Sequence, residues 1–217
     1  HFQATPQYRW ARLSDRLGAD CWVKHENHTP VGAFKIRGGL TYFEQLAQTG
    51  ALPREVISAT RGNHGQSVGW AARAHGVACT IVVPHGNSLE KNAAMRALGV
   101  TLIEHGDDFQ AAREHAQQLA EGRGAHMVPS FHPALISGVS TYWWEFFQAV
   151  PQLDVVYVPI GLGSGVCAAA AAAVRHGLAG KERVEVFCPG GAFQVRWEGS
   201  EQWLRGPAEI VFEGSLS

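Results

Sequence analysis

Three short stretches carry residues whose types and spacing could do chemistry. In "NHTPVGAFKIRGGL", residues 27–40, one lysine, Lys35, stands between Phe34 and Ile36 with glycines on both sides. A lysine just inside a helix start lies near the positive end of the helix dipole. Dipole and burial both disfavour its ammonium, which frees the amine to attack a carbonyl as a Schiff-base nucleophile. Taken alone, the segment is explained more simply by a stem lying along an apolar face. In "TRGNHGQS", residues 60–67, Gly62 and Gly65 let backbone amides approach a ligand, and the helix that follows points amides at an anion such as a carboxylate. Asn63 offers both a donor and an acceptor. A plain strand-to-helix turn capped by Asn63 accounts for this loop equally well. In "PIGLGSGVCAAA", residues 159–170, an apolar run meets Gly161, Gly163, Ser164 and Gly165 and then a helix. Free amides, one hydroxyl and a helix N-terminus are what a phosphate cradle needs.

No GK[ST] follows that cradle, which argues against a nucleoside triphosphate. The third glycine of a dinucleotide fingerprint would be Ala168, and no acid follows the next strand pattern, where Cys188, Pro189 and Gly190 stand. A reactive lysine, an Asn-bearing carboxylate loop and a phosphate cradle together describe pyridoxal phosphate, which has an aldehyde, a phenolate-type oxygen and a phosphate.

The elements that must position these loops alternate along the chain. Strand patterns fall at 21–26, 55–60, 78–84, 100–106, 125–130, 155–161 and 183–189. Helical patterns fall at 33–48, 64–76, 88–99, 108–124, 132–150 and 164–177, with Ser88 as an N-cap. Repeated strand–helix units with apolar strands predict an α/β fold with two parallel sheets. After Pro189 the pattern fails, and only 209–213 could be a strand.

Bulk properties narrow the partners. The 217 residues are 46% hydrophobic and 17% charged with a net charge of −1, so nothing draws the chain to nucleic acid or an acidic membrane. Four widely spaced cysteines without a CxxC pair read as reduced thiols, and a cytoplasmic protein is expected. The chain opens on His1 without a signal-like segment and is expected to be a fragment. Eleven histidines invite a metal guess, but His25 and His28 span a strand end and a loop, and no metal is expected. The pair Trp143–Trp144 before Glu145 reads as helix packing.

In order, "HENHTPVGAFKIRGG", "TRGNHGQS" and "GLGSG" resemble the fold-type II pyridoxal-phosphate enzymes, most of all the serine/threonine dehydratase group, over roughly residues 5–188. The resemblance implies two open parallel-sheet α/β domains of the tryptophan synthase β-subunit-like type, the large one incomplete. Residues 1–50 and 134–217 would form the large cofactor domain and 51–133 the small one. Lys35 would be the catalytic Schiff-base lysine and Phe34 would pack near the ring. Asn63 would bond the ring oxygen, and Gly161, Leu162, Gly163, Ser164 and Gly165 would hold the phosphate. Thr60, Gly62, His64, Gly65 and Gln66 would line the substrate carboxylate. Arg61 would either join them or sit as a surface arginine.

The implied activity is a dehydratase (ammonia-lyase) turning a β-hydroxy amino acid such as threonine or serine into a 2-oxo acid and ammonia. Lys35 would remove the α-proton. Alternatives are a cofactor-binding remnant without turnover and a β-replacing or threonine-synthase-type enzyme. A homodimer is implied, with no nucleic-acid or membrane partner. Three departures stand out. Ala33 replaces the family's usual serine. Arg61 replaces the serine that handles a proton in the racemases, which disfavours racemisation because arginine stays charged. Residues 190–217 lack the late Ser, Thr or Cys that meets the pyridine nitrogen. The acid of the family's occasional metal site would fall near Cys188.

Overall fold

The computed structural model describes residues 2–180, 183–188, 191–198 and 201–205. The strand expected at 209–213 lies outside them. A short antiparallel pair, β1 (Gln7–Arg9) and β2 (Trp22–Lys24), flanks α1 (Ala11–Leu17). A 3-10 turn at Glu26–His28 then leads to α2 (Lys35–Gln48).

Four parallel strands follow: β3 (Glu55–Ala59), β4 (Ala78–Val83), β5 (Thr101–Glu104) and β6 (His126–Met127). Their order across the sheet is β5-β4-β3-β6. Between them run α3 (Asn63–Ala74), α4 (Leu89–Ala97) and α5 (Phe109–Arg123). Successive side chains of a strand point to opposite faces, so a sheet buried on both sides must be apolar throughout. One face presents Ile57, Ala59 and Val82 to Ala112, Ala116 and Ala120 of α5. The other presents Val56, Ile81 and Val83 to Val68, Ala71 and Ala72 of α3 and Met95 of α4. That second cluster continues into Ile36, Leu40 and Phe43 of α2, and so carries the Lys35 helix on the sheet's helical layer. Ser88 caps α4 by accepting from the Lys91 amide, as its position predicts.

A second core joins α6 (Pro133–Ala149) to α7 (Ser164–Arg175) through Ile136, Tyr142, Trp143, Phe146, Cys167 and Ala168. Beyond it, β7 (Arg183–Cys188), β8 (Gly191–Glu198) and β9 (Glu201–Arg205) form an antiparallel meander with Val195 buried at its centre.

Two expectations are corrected here. Residues 155–161 form no strand, and Tyr157 is 93% exposed. A parallel strand exists only if neighbours take up its N–H and C=O groups, and the nearest apolar strand in sequence, β7, is paired with β8 instead. Among the described residues the α/β class therefore rests on one parallel sheet, not two. The tail also holds strands that its lack of helical period concealed. Among the described residues no helix is long and apolar enough to cross a membrane.

Candidate functional site

Lys35 is the first residue of α2, with Phe34 as the preceding cap. Ser67 Oγ of α3 donates 2.6 Å to the Lys35 carbonyl, which fixes the backbone from the sheet side. Gly39 makes this approach possible, since a Cβ there would lie 2.8 Å from the Ser67 carbonyl oxygen. Thr29 holds the loop from the other side. Its hydroxyl accepts from the Ala33 amide and donates to the Ala33 carbonyl, both at 2.9 Å. Ala33 thus has no hydroxyl of its own, but its backbone is clamped by one.

The Lys35 amine is the centre of the arrangement. Nζ donates 2.5 Å to Ser164 Oγ, 129 residues away in the first turn of α7. It also lies 5.7 Å from the centroid of the Phe34 ring. Burial lowers the Lys35 pKa from its ordinary value, so the free amine is more accessible than on an exposed lysine. The Phe34 ring packs on Tyr142 at 5.7 Å between centroids. A Cβ on Gly165 would meet the Phe34 ring tip at 3.6 Å and the Pro159 carbonyl at 3.5 Å. Gly163 turns the chain into α7 at φ 94°, in the left-handed region that favours glycine. Gly163, Ser164 and Gly165 are buried, whereas Gly161 and Leu162 are exposed.

The 60–67 loop meets the same place. Thr60 is buried at the end of β3, and its Oγ1 accepts from the Gly62 amide at 2.9 Å. Asn63 opens α3 and is exposed, as is Arg61, while Gln66 is half-buried. Gly65 packs tightly, with a Cβ there 3.3 Å from Ile81. His64 is buried, and its Nε2 has no hydrogen-bond partner among the described residues. Burial first, and then the Lys35 charge, push the His64 pKa down to about 4, so the ring is neutral and within electrostatic reach of the lysine. The structure thus brings Lys35, Phe34, His64, Gly163, Ser164 and Gly165 together. It leaves Asn63, Arg61, Gly161 and Leu162 at the rim.

One group of residues escaped the sequence reading. Arg37, one turn beyond Phe34, binds Glu26 through Nε and Nη2 at 2.8 and 2.9 Å. It binds Glu145 of α6 through Nη1 and Nη2 at 2.6 and 3.0 Å. Lys24 adds a 2.6 Å bond to Glu145, and Thr5 Oγ1 donates 2.5 Å to Glu26. Burial alone would lower the Arg37 pKa, but its bonds to Glu145 and Glu26 outweigh that and raise it. The available signal was Glu145 itself, a lone charge inside the aromatic run "YWWEFF".

A half-buried amine beside a serine at a glycine-lined helix N-terminus defines an α/β protein built to hold a phosphorylated carbonyl compound. Such a helix start offers unpaired amides to a phosphate, and a neutral amine can form a Schiff base with an aldehyde. The chain belongs to the family of pyridoxal-phosphate dependent enzymes, which it matches over residues 1–192, with the fold-type II architecture. It is 35% identical to the biosynthetic L-threonine dehydratase IlvA of Pasteurella multocida over 175 residues, 80% of this chain and 34% of that protein. Against the threonine dehydratase of Nicotiana attenuata it is 37% identical over 169 residues, 77% of this chain and 28% of that protein. The processed threonine deaminase isoform 2 of Solanum lycopersicum superposes with a TM-score of 0.73 at 31% identity, over 80% of this chain and 50% of that one. The chain thus spans about a third of the curated relatives it matches. The cofactor of this family is pyridoxal phosphate, and the residues present fit it. They supply the half-buried amine, the Ser164 hydroxyl, the α7 helix start and an apolar wall at Phe34.

Proposed function

We propose that Lys35 carries pyridoxal phosphate and that the site belongs to a dehydratase (ammonia-lyase) acting on a β-hydroxy amino acid such as threonine or serine. The observation that carries this reading is the 2.5 Å contact between Lys35 Nζ and Ser164 Oγ, which joins amine and phosphate loop. When bound, the cofactor would supply an electron sink for the bond broken at the amino acid's α-carbon. Gly163, Ser164 and Gly165 would hold its phosphate, with Gly161 and Leu162 at the loop's outer edge. Phe34 would face its ring and Asn63 its ring oxygen.

Lys35 Nζ is the base that takes the α-proton, and its lowered pKa favours the neutral form needed for this. Thr60, Gly62, Gly65, Gln66 and neutral His64 bind and orient the substrate carboxylate at the start of α3. Phe34 and Tyr142 exclude water from the amine's side of the site. On this reading residues 1–50 and 134–217 make the large domain and 51–133 the small one. Cys21, Cys79 and Cys167, free among the described residues, support a reducing cytoplasm. Exposed Trp10, Leu17 and Trp22 support a homodimer.

The exposed apolar residues Val155, Tyr157, Ile160 and Leu162 favour a second reading, cofactor binding without turnover. One experiment separates the two. Pyridoxal phosphate is added, borohydride fixes it, and the labelled peptide is mapped. Ammonia release from threonine and serine is measured in parallel. A label on Lys35 with ammonia release supports the dehydratase, and a label without release supports the second reading. No label on Lys35 in folded protein would overturn both.

A further inference from the structure

We propose that Ser164 is a positioning residue for Lys35: its hydroxyl anchors the amine, a role separate from holding phosphate. The proposal rests on the reading above for Lys35 as the group that meets the carbonyl.

A lysine amine rides on a flexible four-carbon stem and ordinarily spreads over many positions. Here the backbone on both sides of the contact is fixed. Ser67 Oγ holds the Lys35 carbonyl at 2.6 Å, and Thr29 clamps Ala33 just before it. On the far side the Cys167 amide donates 3.0 Å to the Gly163 carbonyl and closes the first turn of α7. Between these fixed ends Nζ makes one hydrogen bond and no ion pair among the described residues, and its acceptor is Ser164 Oγ at 2.5 Å. The acids that bond to α2 are spent elsewhere. Glu26 pairs with Arg37, and Glu145 pairs with Arg37 and Lys24. His64 is the ionisable group that the Lys35 charge reaches, and it is neutral above about 4.

The serine is committed to the amine just as closely. It is buried, and Nζ is the one partner of its Oγ among the described residues. A serine at a helix start ordinarily turns its oxygen onto the helix amides. In α7 the cap is Gly163, no side chain makes a cap bond, and Ser164 stands one place inside. Its hydroxyl is therefore left for the amine. A hydroxyl has one proton and two lone pairs. Oγ accepts from the ammonium or donates to the lone pair of the neutral amine, and so holds Nζ in either state. While it accepts from Nζ, its own proton stays free for a phosphate oxygen, so the two roles coexist. An amine already fixed in place loses less freedom when it meets a carbonyl. In the competing arrangement Ser164 serves the phosphate alone and its contact with Nζ does nothing.

Nuclear magnetic resonance of the chain, with carbon-13 at the lysine Cε positions and no cofactor added, tests this. Exposed Lys91 is the mobile reference. Lys24, buried and bonded to Glu145 at 2.6 Å, is the ordered one and reports that the fold is intact. In the parent chain Lys35 Cε is expected to be ordered like Lys24 and unlike Lys91. Ser164→Ala is expected to make it as mobile as Lys91. The same change should move its titration midpoint down by about one pH unit, an about tenfold loss of ammonium, because a bond to the charged form is gone. Ser164→Thr keeps the hydroxyl and is expected to restore both readouts. A Lys35 Cε as mobile as Lys91 in the parent chain would overturn the proposal, whatever the variants do. An unchanged Lys35 signal in Ser164→Ala, with Lys24 still ordered, would also overturn it, since that is the outcome of a phosphate-only role. Should Lys24 loosen in Ser164→Ala, the parent chain and Ser164→Thr decide. Borohydride labelling of Lys35 with pyridoxal phosphate is measured on the parent chain. Its failure would sink the cofactor reading while leaving an anchored amine intact.

Discussion

Arg37 grips Glu145 through two nitrogens, at 2.6 and 3.0 Å across 108 residues, and thereby bolts the helix that begins at Lys35 to α6. Glu26 closes the other side of the same guanidinium. Four charges of Arg37, Lys24, Glu26 and Glu145 balance in a pocket where Arg37 is 7% exposed. Removing one partner leaves the others buried without compensation, which is costlier than never having buried the set. Glu145→Ala is therefore expected to destabilise the chain by about 3 kcal/mol, read as a fall in the urea midpoint. An unchanged midpoint would show that the pair is solvent-compensated.

Glu145 also predicts an acid response. Burial pushes its carboxyl up, but the bonds from Arg37 and Lys24 outweigh this and hold it below its ordinary value of 4.5. A group whose pKa is lower in the folded state stabilises the fold fully above the unfolded value. The contribution is lost as pH falls from about 4.5 through the lower folded value. Glu145→Gln should lower stability at neutral pH and flatten the acid limb of the stability curve. Urea midpoints between neutral and acid pH check both effects, and parallel curves for the two proteins would refute the second.

His64 makes a second pH signature. Its pKa falls from 6.5 to about 4, first by burial and then by the Lys35 charge. Between those values the unfolded chain takes a proton that the folded ring resists, so stability is lost as pH falls from 6.5 to about 4. Proton NMR of the His64 ring should show a midpoint near 4, moving upward in Lys35→Met. A midpoint near 6.5 would place the ring in water.

Lys35 itself is held at some expense to the fold. Burial lowers its pKa, so the folded chain resists a proton that the unfolded chain carries up to 10.5. Lys35→Met should raise the urea midpoint at neutral pH while abolishing the borohydride label. The stability difference should shrink as pH rises toward 10.5. A lower midpoint for Lys35→Met would mean that the bond to Ser164 Oγ outweighs burial.

Gly163 carries the turn into α7 at φ 94°. Any side chain there enters the left-handed region at about 1–2 kcal/mol. Gly163→Ala is expected to lose that stability and to weaken pyridoxal-phosphate binding, because the amides of Ser164 and Gly165 shift. Spectroscopic titration with the cofactor measures the second effect. Wild-type affinity in the variant would remove Gly163 from the cradle.

Much of this was legible in the residue order. The sheet strands at 55–59 and 78–83 read as apolar runs because both faces are buried, and α5 reads as a helix because Ala112, Ala116 and Ala120 recur every fourth residue. The run at 155–161 was equally apolar and yet is not a strand, because a strand is defined by partners that local composition does not supply. β7 read as a strand, whereas β8 and β9 were hidden because they exist through a pairing in which β8 lies between β7 and β9, which no local period announces. Glu145 was passed over because its partners, Arg37 and Lys24, lie more than a hundred residues away.

By itself the sequence determined the order of strands and helices through 55–127 and the chemical types in three loops: an amine, a set of amides and a hydroxyl. These are local properties of side chain and backbone. Tertiary structure decided that Lys35 meets Ser164, that His64 is stripped of water beside the lysine, and that Lys91 lies over Gly62. Distance, burial and the local field arise only when remote segments pack, and these set whether a lysine snorkels or becomes a nucleophile.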